Sequence, residues 1–153
     1  MNAQGRIENE YIKQVTIEHR KKYAQFFTPA SIAEIMANWI LGNNRIKTIL
    51  EPAFGLGVFS RFLLSKGINL SIKGFDTDEI IYKEAKKHFS DQPVSLHLQD
   101  YMFNDWDNRY DGIICNPPYF KFHDYDNKSV IKEIEHRLSC KLNGFTNLYT
   151  LFC

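Results

Sequence analysis

Along the first 22 residues, side chains suited to a buried face recur at helical intervals. Ile7, Tyr11, Val15 and His19 share one side, and Arg20, Lys21 and Lys22 fall in the last turn, where the helix dipole favours cations. The spacing predicts one amphipathic helix over 7–22. Phe26-Phe27-Thr28-Pro29 breaks the period, and Ser31 offers an N-cap to a second helix through Ile32, Ile35, Met36 and Ile40, ending at Gly42-Asn43-Asn44. From residue 47 the pattern changes. Short apolar runs at 47–50, 70–75, 94–98 and 111–115 read as strands, and helical runs at 57–65 and 79–89 lie between them. This alternation predicts an α/β fold with a doubly wound, mostly parallel sheet and helices on both faces. Residues 120–130 read as a polar loop, Ile131, Ile134 and Leu138 as a helix, and 147–152 as the first turns of another. The chain divides into an N-terminal helical segment, 1–45, and the sheet domain, 46–153.

Composition adds limits. With 153 residues and 44% apolar content the chain can build one core, and 19 Lys and Arg against 18 Asp and Glu give a formal charge of +1. There is no basic excess, so nucleic-acid binding has to be argued from local features. No apolar run is long enough to span a bilayer, and the N-terminus lacks the apolar core of a signal peptide, so no membrane partner is expected. Cys115, Cys140 and Cys153 form no CxxC pair and are odd in number, which fits a reducing cytoplasm. His123-Asp124-Tyr125-Asp126 matches no ligand spacing, and no metal is expected.

Candidate chemistry gathers where the strands should end, the ligand-binding side of open α/β sheets. Glu51-Pro52-Ala53-Phe54-Gly55-Leu56-Gly57 follows the first strand, and its glycines would let backbone approach a bulky ligand. Asp76 ends the second strand, placed to accept from ribose hydroxyls, although it, Thr77 or Asp78 would serve equally as the next helix's N-cap. Asp100-Tyr101 follows the third, offering a carboxylate and an aromatic plane to a nucleobase. A dinucleotide fingerprint would need glycine at 60, where Ser60 stands, and no phosphate loop is present. A nucleoside without polyphosphate suits these residues better.

The fourth strand runs into Asn116-Pro117-Pro118-Tyr119, a combination expected by chance on the order of once in a thousand chains of this length. Two prolines fix their own φ and remove two N–H donors, leaving a rigid tip that exposes acceptors. Such a tip suits alkylation of an aromatic amine such as adenine N6, whose lone pair is delocalised into the ring. The Asn116 side-chain oxygen and the Pro117 carbonyl, accepting from its two hydrogens, would favour the tetrahedral form that develops in the transition state. Tyr119 would stack on a base swung out of a duplex.

These motifs resemble the adenine-N6 DNA methyltransferases of restriction-modification systems, in the gamma arrangement where the cofactor loop precedes the catalytic loop; the match covers the chain from about residue 20 onward. The resemblance implies a class I, Rossmann-like methyltransferase that uses S-adenosyl-L-methionine and acts on double-stranded DNA with a flipped adenine, in a bacterial cytoplasm. Gln25-Phe26-Phe27-Thr28-Pro29 is similar to the family's N-terminal cofactor segment, which implies that Phe27 and Thr28 meet the methionine end. Glu51, Pro52, Ala53, Gly55 and Gly57 fall in the family's first motif, with Glu51 near the cofactor's amino group. By the same resemblance Asp76 holds the ribose, Asp100 the adenine amine and Tyr101 the ring. Asn116, Pro117, Pro118 and Tyr119 form the catalytic motif, and Asn147-Leu148-Tyr149 belongs to the following helix. The family's sheet has seven strands, against four counted here. This implies a domain truncated after the fourth strand, inactive alone, and dependent on a C-terminal part, a specificity subunit or self-association. The rival readings are a methyltransferase for protein glutamine N5 or RNA bases, and a non-catalytic module that binds cofactor or a partner.

Overall fold

The computed structural model describes residues 3–119, 128–139 and 141–142. The single helix expected at the N-terminus is two: α1, Ala3–Gln14, and α2, Ile17–Lys22. Val15, Thr16 and Ile17 are β-branched, and the Thr16 hydroxyl accepts from the His19 amide at 3.1 Å, capping α2 instead of continuing α1. The next helix, α3, Ala30–Ile40, starts before Ser31. Pro29 occupies its N-cap with no side-chain hydrogen bond, so the capping role expected of Ser31 is corrected.

Four strands follow with their connections: β1, Thr48–Glu51; α4, Val58–Ser65; β2, Ser71–Asp76; α5, Glu79–His88; β3, Val94–Leu98; a 3-10 helix, Tyr101–Phe103; β4, Gly112–Ile113; and α6, Lys128–Leu138. The sheet is parallel throughout, in the order β3-β2-β1-β4, with Ile49 beside Ile72 and Gly112, and Ile72 beside Val94. β4 is shorter than the expected 111–115. At its start the Asp111 carboxylate accepts from the Lys47 and Thr48 amides, both at 2.8 Å, and beyond Ile114 the chain turns into two prolines without N–H donors. Cys115 therefore lies past the strand, half-buried. The polar loop expected over 120–130 gives way to α6 from Lys128; its earlier part, with His123 to Asp126, and the segment 147–152 lie outside the described residues.

One face of the sheet packs Ile49, Ile72 and Val94 against Ala33, Ala37 and Ile40 of α3 and Phe59, Phe62 and Leu63 of α4. Phe54 continues that layer against Ala85 and Phe89 of α5. On the opposite face Met102 and Ile134 gather Tyr101, Trp106 and Cys115, and Phe75 meets the Tyr101 ring at 5.7 Å. Helical layers on both faces make this a doubly wound, Rossmann-like domain. The chain leaves β1 toward β2 and then β3, and crosses back from β3 to β4 on the other side of β1, so the tips of β1 and β4 flank the topological switch point where such folds bind ligands. Among the described residues no helix is long and apolar enough to cross a membrane.

Candidate active site

A cavity of about 370 Å³ opens at the carboxyl ends of the strands, within the range of small-ligand sites. Glu51 to Leu56 form its floor after β1, Phe75 to Thr77 its wall after β2, and Gln99 to Tyr101 the next wall after β3. Asn116 and Pro118 stand at the β4 side, and residues 22–28 lie across it from the N-terminal segment. Phe27, Thr28, Glu51, Pro52, Ala53, Gly55, Asp76, Asp100, Tyr101, Asn116 and Pro118 are thus brought together around one space. Gly57, Pro117 and Tyr119 are not part of its lining.

Gly57 serves packing. It caps α4 in the left-handed conformation, φ +66°, and a Cβ there would come within 2.6 Å of both the Phe54 and Phe89 rings. Gly55, φ +55°, faces the cavity, and its amide donates to Asp76 Oδ2 at 2.8 Å. Asp76 also accepts from the Asp78 amide through Oδ1 at 2.9 Å, so it organises the floor while facing the cavity. The N-cap of α5 is Asp78, which accepts from the Ile80 amide at 3.0 Å. Burial pushes the Asp76 carboxyl up to about 6.

Glu51 has no exposed surface. Its Oε2 accepts from the Ser60 hydroxyl at 2.5 Å, and its buried Oε1 has no hydrogen-bond partner. Burial drives its carboxyl up to about 8. Ser60, noted in the sequence only as the residue that spoils a dinucleotide fingerprint, is therefore the group that orients Glu51. A buried carboxylate with one uncommitted oxygen on a ligand-sized cavity is chemically matched to a cation.

At the β4 tip, Asn116 Nδ2 donates to the Phe26 carbonyl at 2.9 Å. A carbonyl only accepts, so the amide nitrogen must face Phe26 and Oδ1 must face away. Oδ1 accepts from the Tyr119 hydroxyl, also at 2.9 Å. Tyr119 is 59% exposed and meets Phe26 edge to face at 6.4 Å. Burial raises the Tyr101 hydroxyl on the opposite wall, favouring its neutral form. Among the described residues no three His, Cys, Asp or Glu side chains gather as a metal site.

Sequence reasoning missed Gln25, Gln99 and Ile81 as lining residues, and it left His19 and Tyr11 as members of a helix face. Gln25 and Gln99 stand in motifs the sequence singles out without a role for either, Ile81 reaches the cavity through tertiary contact, and Tyr11 and His19 lie behind the lining, on Asp78.

The fold and this cavity define a Rossmann-like domain with a nucleoside-sized site at its switch point. The chain belongs to the N-6 DNA methylase family, whose model matches residues 3–147. It is 66% identical over 147 residues to the type II methyltransferase M.AccI of Acinetobacter calcoaceticus, covering 95% of this chain and 27% of that protein. It is 37% identical over 78 residues to a tRNA1(Val) (adenine(37)-N6)-methyltransferase of Vibrio vulnificus, covering 48% of this chain and 33% of that protein. Its fold is similar to that of the SAM-bound amino pentose methyltransferase from Micromonospora echinaspora, with TM-score 0.51 and 14% identity over 79% of this chain and 48% of that one. The chain spans about a quarter and a third of the two curated relatives' lengths.

Proposed function

We propose that this chain carries the cofactor site and catalytic loop of an S-adenosyl-L-methionine-dependent methyltransferase acting on adenine N6 in double-stranded DNA, as the modification enzyme of a bacterial restriction-modification system. The observation that carries the reading is the oriented Asn116 amide on the rim of a cavity that also holds the half-satisfied Glu51 carboxylate. Family membership and the identity to a type II methyltransferase support DNA as substrate.

The residues fit the cofactor. Glu51 Oε1 suits its cationic methionine end, with Phe27 and Thr28 alongside. Asp76 suits the ribose, Asp100 the adenine amine and Tyr101 the ring face. When bound, the cofactor supplies an electrophilic methyl group on a sulfonium. The chain's own work is to hold the accepting nitrogen and reshape its electrons. Asn116 Oδ1 and the Pro117 carbonyl accept from the two hydrogens of the amine, which localises its lone pair as the tetrahedral transition state develops. Tyr119 gives up its hydrogen bond to Asn116 when the amine takes that oxygen, and its ring then stacks on the flipped base. Residues 22–28 exclude water from the reacting side.

The test is tritium transfer from labelled cofactor by the full-length protein to duplex DNA, RNA and release factor. Duplex DNA should be labelled and Asn116→Ala should abolish labelling while cofactor affinity stays within about threefold. Labelling of tRNA in place of DNA would move the assignment to the RNA substrate of the Vibrio relative.

A further inference from the structure

We infer that Asp78, outside the cavity lining, is a positioning residue for Asn116, acting through Gln25 and the Phe26 carbonyl; the inference rests on the role proposed for Asn116. Asp78 is 1% exposed and gathers donors from three parts of the N-terminal segment on one oxygen. Oδ2 accepts from Tyr11 Oη of α1 at 3.1 Å, from His19 Nε2 of α2 at 2.7 Å and from Gln25 Nε2 at 2.5 Å. The carboxylate only accepts, so His19 must present its Nε2 proton, and the Tyr11 hydroxyl proton is shared with Gln25 Oε1 at 3.2 Å. Burial would raise the Asp78 carboxyl, but the bonds from His19, the Ile80 amide and Gln25 hold it below the usual carboxylate range. It is therefore charged, and its bonds to the segment are of the stronger, charge-assisted kind.

What this hub fixes is the path of residues 23–28. Ala24 takes a left-handed backbone conformation, φ +46°, which a residue with a Cβ seldom adopts and which persists only where its surroundings impose it. Two backbone bonds that close α2 impose it, from the Ala24 N–H to the Lys21 carbonyl at 3.2 Å and from the Gln25 N–H to the Arg20 carbonyl at 2.9 Å, and the Gln25 side chain then ties this turn to the N-cap of α5. The next carbonyl, Phe26, is the one that accepts from Asn116 Nδ2. The positional information thus runs from the α5 N-cap to Gln25, along one peptide to Phe26, and into the amide that faces the amine. Released from Asp78, the turn would keep its own backbone bonds but lose its tie to α5, the Phe26 carbonyl would shift away from Asn116, and Asn116 would lose the acceptor that decides which way its amide points.

The experiment uses the full-length protein with Gln25→Ala, Asp78→Asn and the double variant. Asp78→Asn keeps the oxygen that caps Ile80 and turns an amide toward the three donors; Gln25→Ala removes a half-buried side chain and leaves the fold intact. Each single variant should lower the single-turnover methyl-transfer rate about ten- to a hundredfold, and Asp78→Asn, which alters no cavity-lining residue, should change cofactor Kd by no more than about threefold. The double variant should lose at most about twofold more than the worse single one, because both cut the same connection. In ¹⁵N-asparagine-labelled protein the Asn116 side-chain amide protons should collapse toward their solvent-exposed positions in either variant. Additive rate losses, or an Asn116 amide signal that stays in place in Gln25→Ala, would overturn the inference. If Asn116→Ala itself still transfers methyl groups, the proposed catalytic role has failed instead, and the amide signal reports the coupling independently of it.

Discussion

The proposed pairing of Glu51 with the cofactor's cationic end predicts that cofactor binding releases a proton. Burial, with the Asp76 charge, pushes the Glu51 carboxyl up to about 8 against the opposing bonds from the Ser60 hydroxyl and amide and the charge of Arg61. At pH 7 roughly nine molecules in ten would then hold the protonated form. A cationic methionine end on Oε1 requires the ionised form, so binding at pH 7 carries a deprotonation cost of about 1.4 kcal/mol. Affinity should rise about tenfold per unit from about pH 6 to pH 8 and level off above that. Calorimetry at pH 7 in two buffers of different ionisation enthalpy should register about 0.9 proton released per cofactor bound. Glu51→Gln, which still accepts from Ser60, should flatten the profile over the same interval. The unliganded protein should show the matching stability effect. Glu51 and Asp76 both have folded-state values above their unfolded ones, so the stability they contribute is complete below about pH 4 and is lost as pH rises through about 6 for Asp76 and about 8 for Glu51. Its Tm should therefore fall from about pH 5 to pH 8, and saturating cofactor should remove the upper part of that slope. An affinity that stays level across this range with no proton released would refute the placement of a cation against Glu51.

Three further outcomes follow from the geometry. Asp76→Ala should weaken cofactor binding about ten- to a hundredfold by calorimetry, the loss of charge-assisted bonds to two hydroxyls, and unchanged affinity would discard the ribose assignment. Tyr119→Phe keeps the ring and frees Asn116 Oδ1, so steady-state transfer should remain within about threefold of the parent, whereas Tyr119→Ala should cost about 1–3 kcal/mol in kcat/KM through lost stacking. Gly74→Ala, whose Cβ would lie 2.2 Å from the Phe54 ring, should lower unfolding free energy by about 1–3 kcal/mol in a denaturant titration.

The elements were legible where local chemistry and tertiary context agree. The strand at 94–98 lies where its alternation places it, and the helix expected over 79–89 ends one residue early. The long N-terminal helix was misread because periodicity carries no record of a break: Ile7, Tyr11 and Val15 do pack together, but the Thr16 hydroxyl caps a new helix between them and His19. The carboxylates at the strand tips were visible because a parallel sheet delivers every such tip to one side. Which carboxylate caps α5 was not, since Asp76, Thr77 and Asp78 are equivalent locally and only the long-range donors from Tyr11, His19 and Gln25 distinguish Asp78. Gly57 was read as a ligand-facing glycine because sequence does not show Phe54 and Phe89 closing over it.

The strand tips also explain what the second proline does in the proposed catalytic loop. Asp76, Asp78 and Asp100 each spend one carboxylate oxygen on the backbone N–H two residues ahead, at Asp78, Ile80 and Met102. An aspartate can do this and still offer its other oxygen to a second partner, as Asp76 does to the Gly55 amide and Asp78 to Tyr11, His19 and Gln25. Asn116 has a single oxygen, and the same local turn would consume it. The residue two ahead is Pro118, which has no N–H, so that turn cannot form and Oδ1 stays available to the Tyr119 hydroxyl or to an amine. The same substitution leaves the Asn116 amide without local direction. Its orientation has to come from elsewhere in the chain, and the Phe26 carbonyl, 90 residues away in sequence, provides it. An asparagine barred from bonding its own backbone in this way takes its orientation from the segment that lines the cavity.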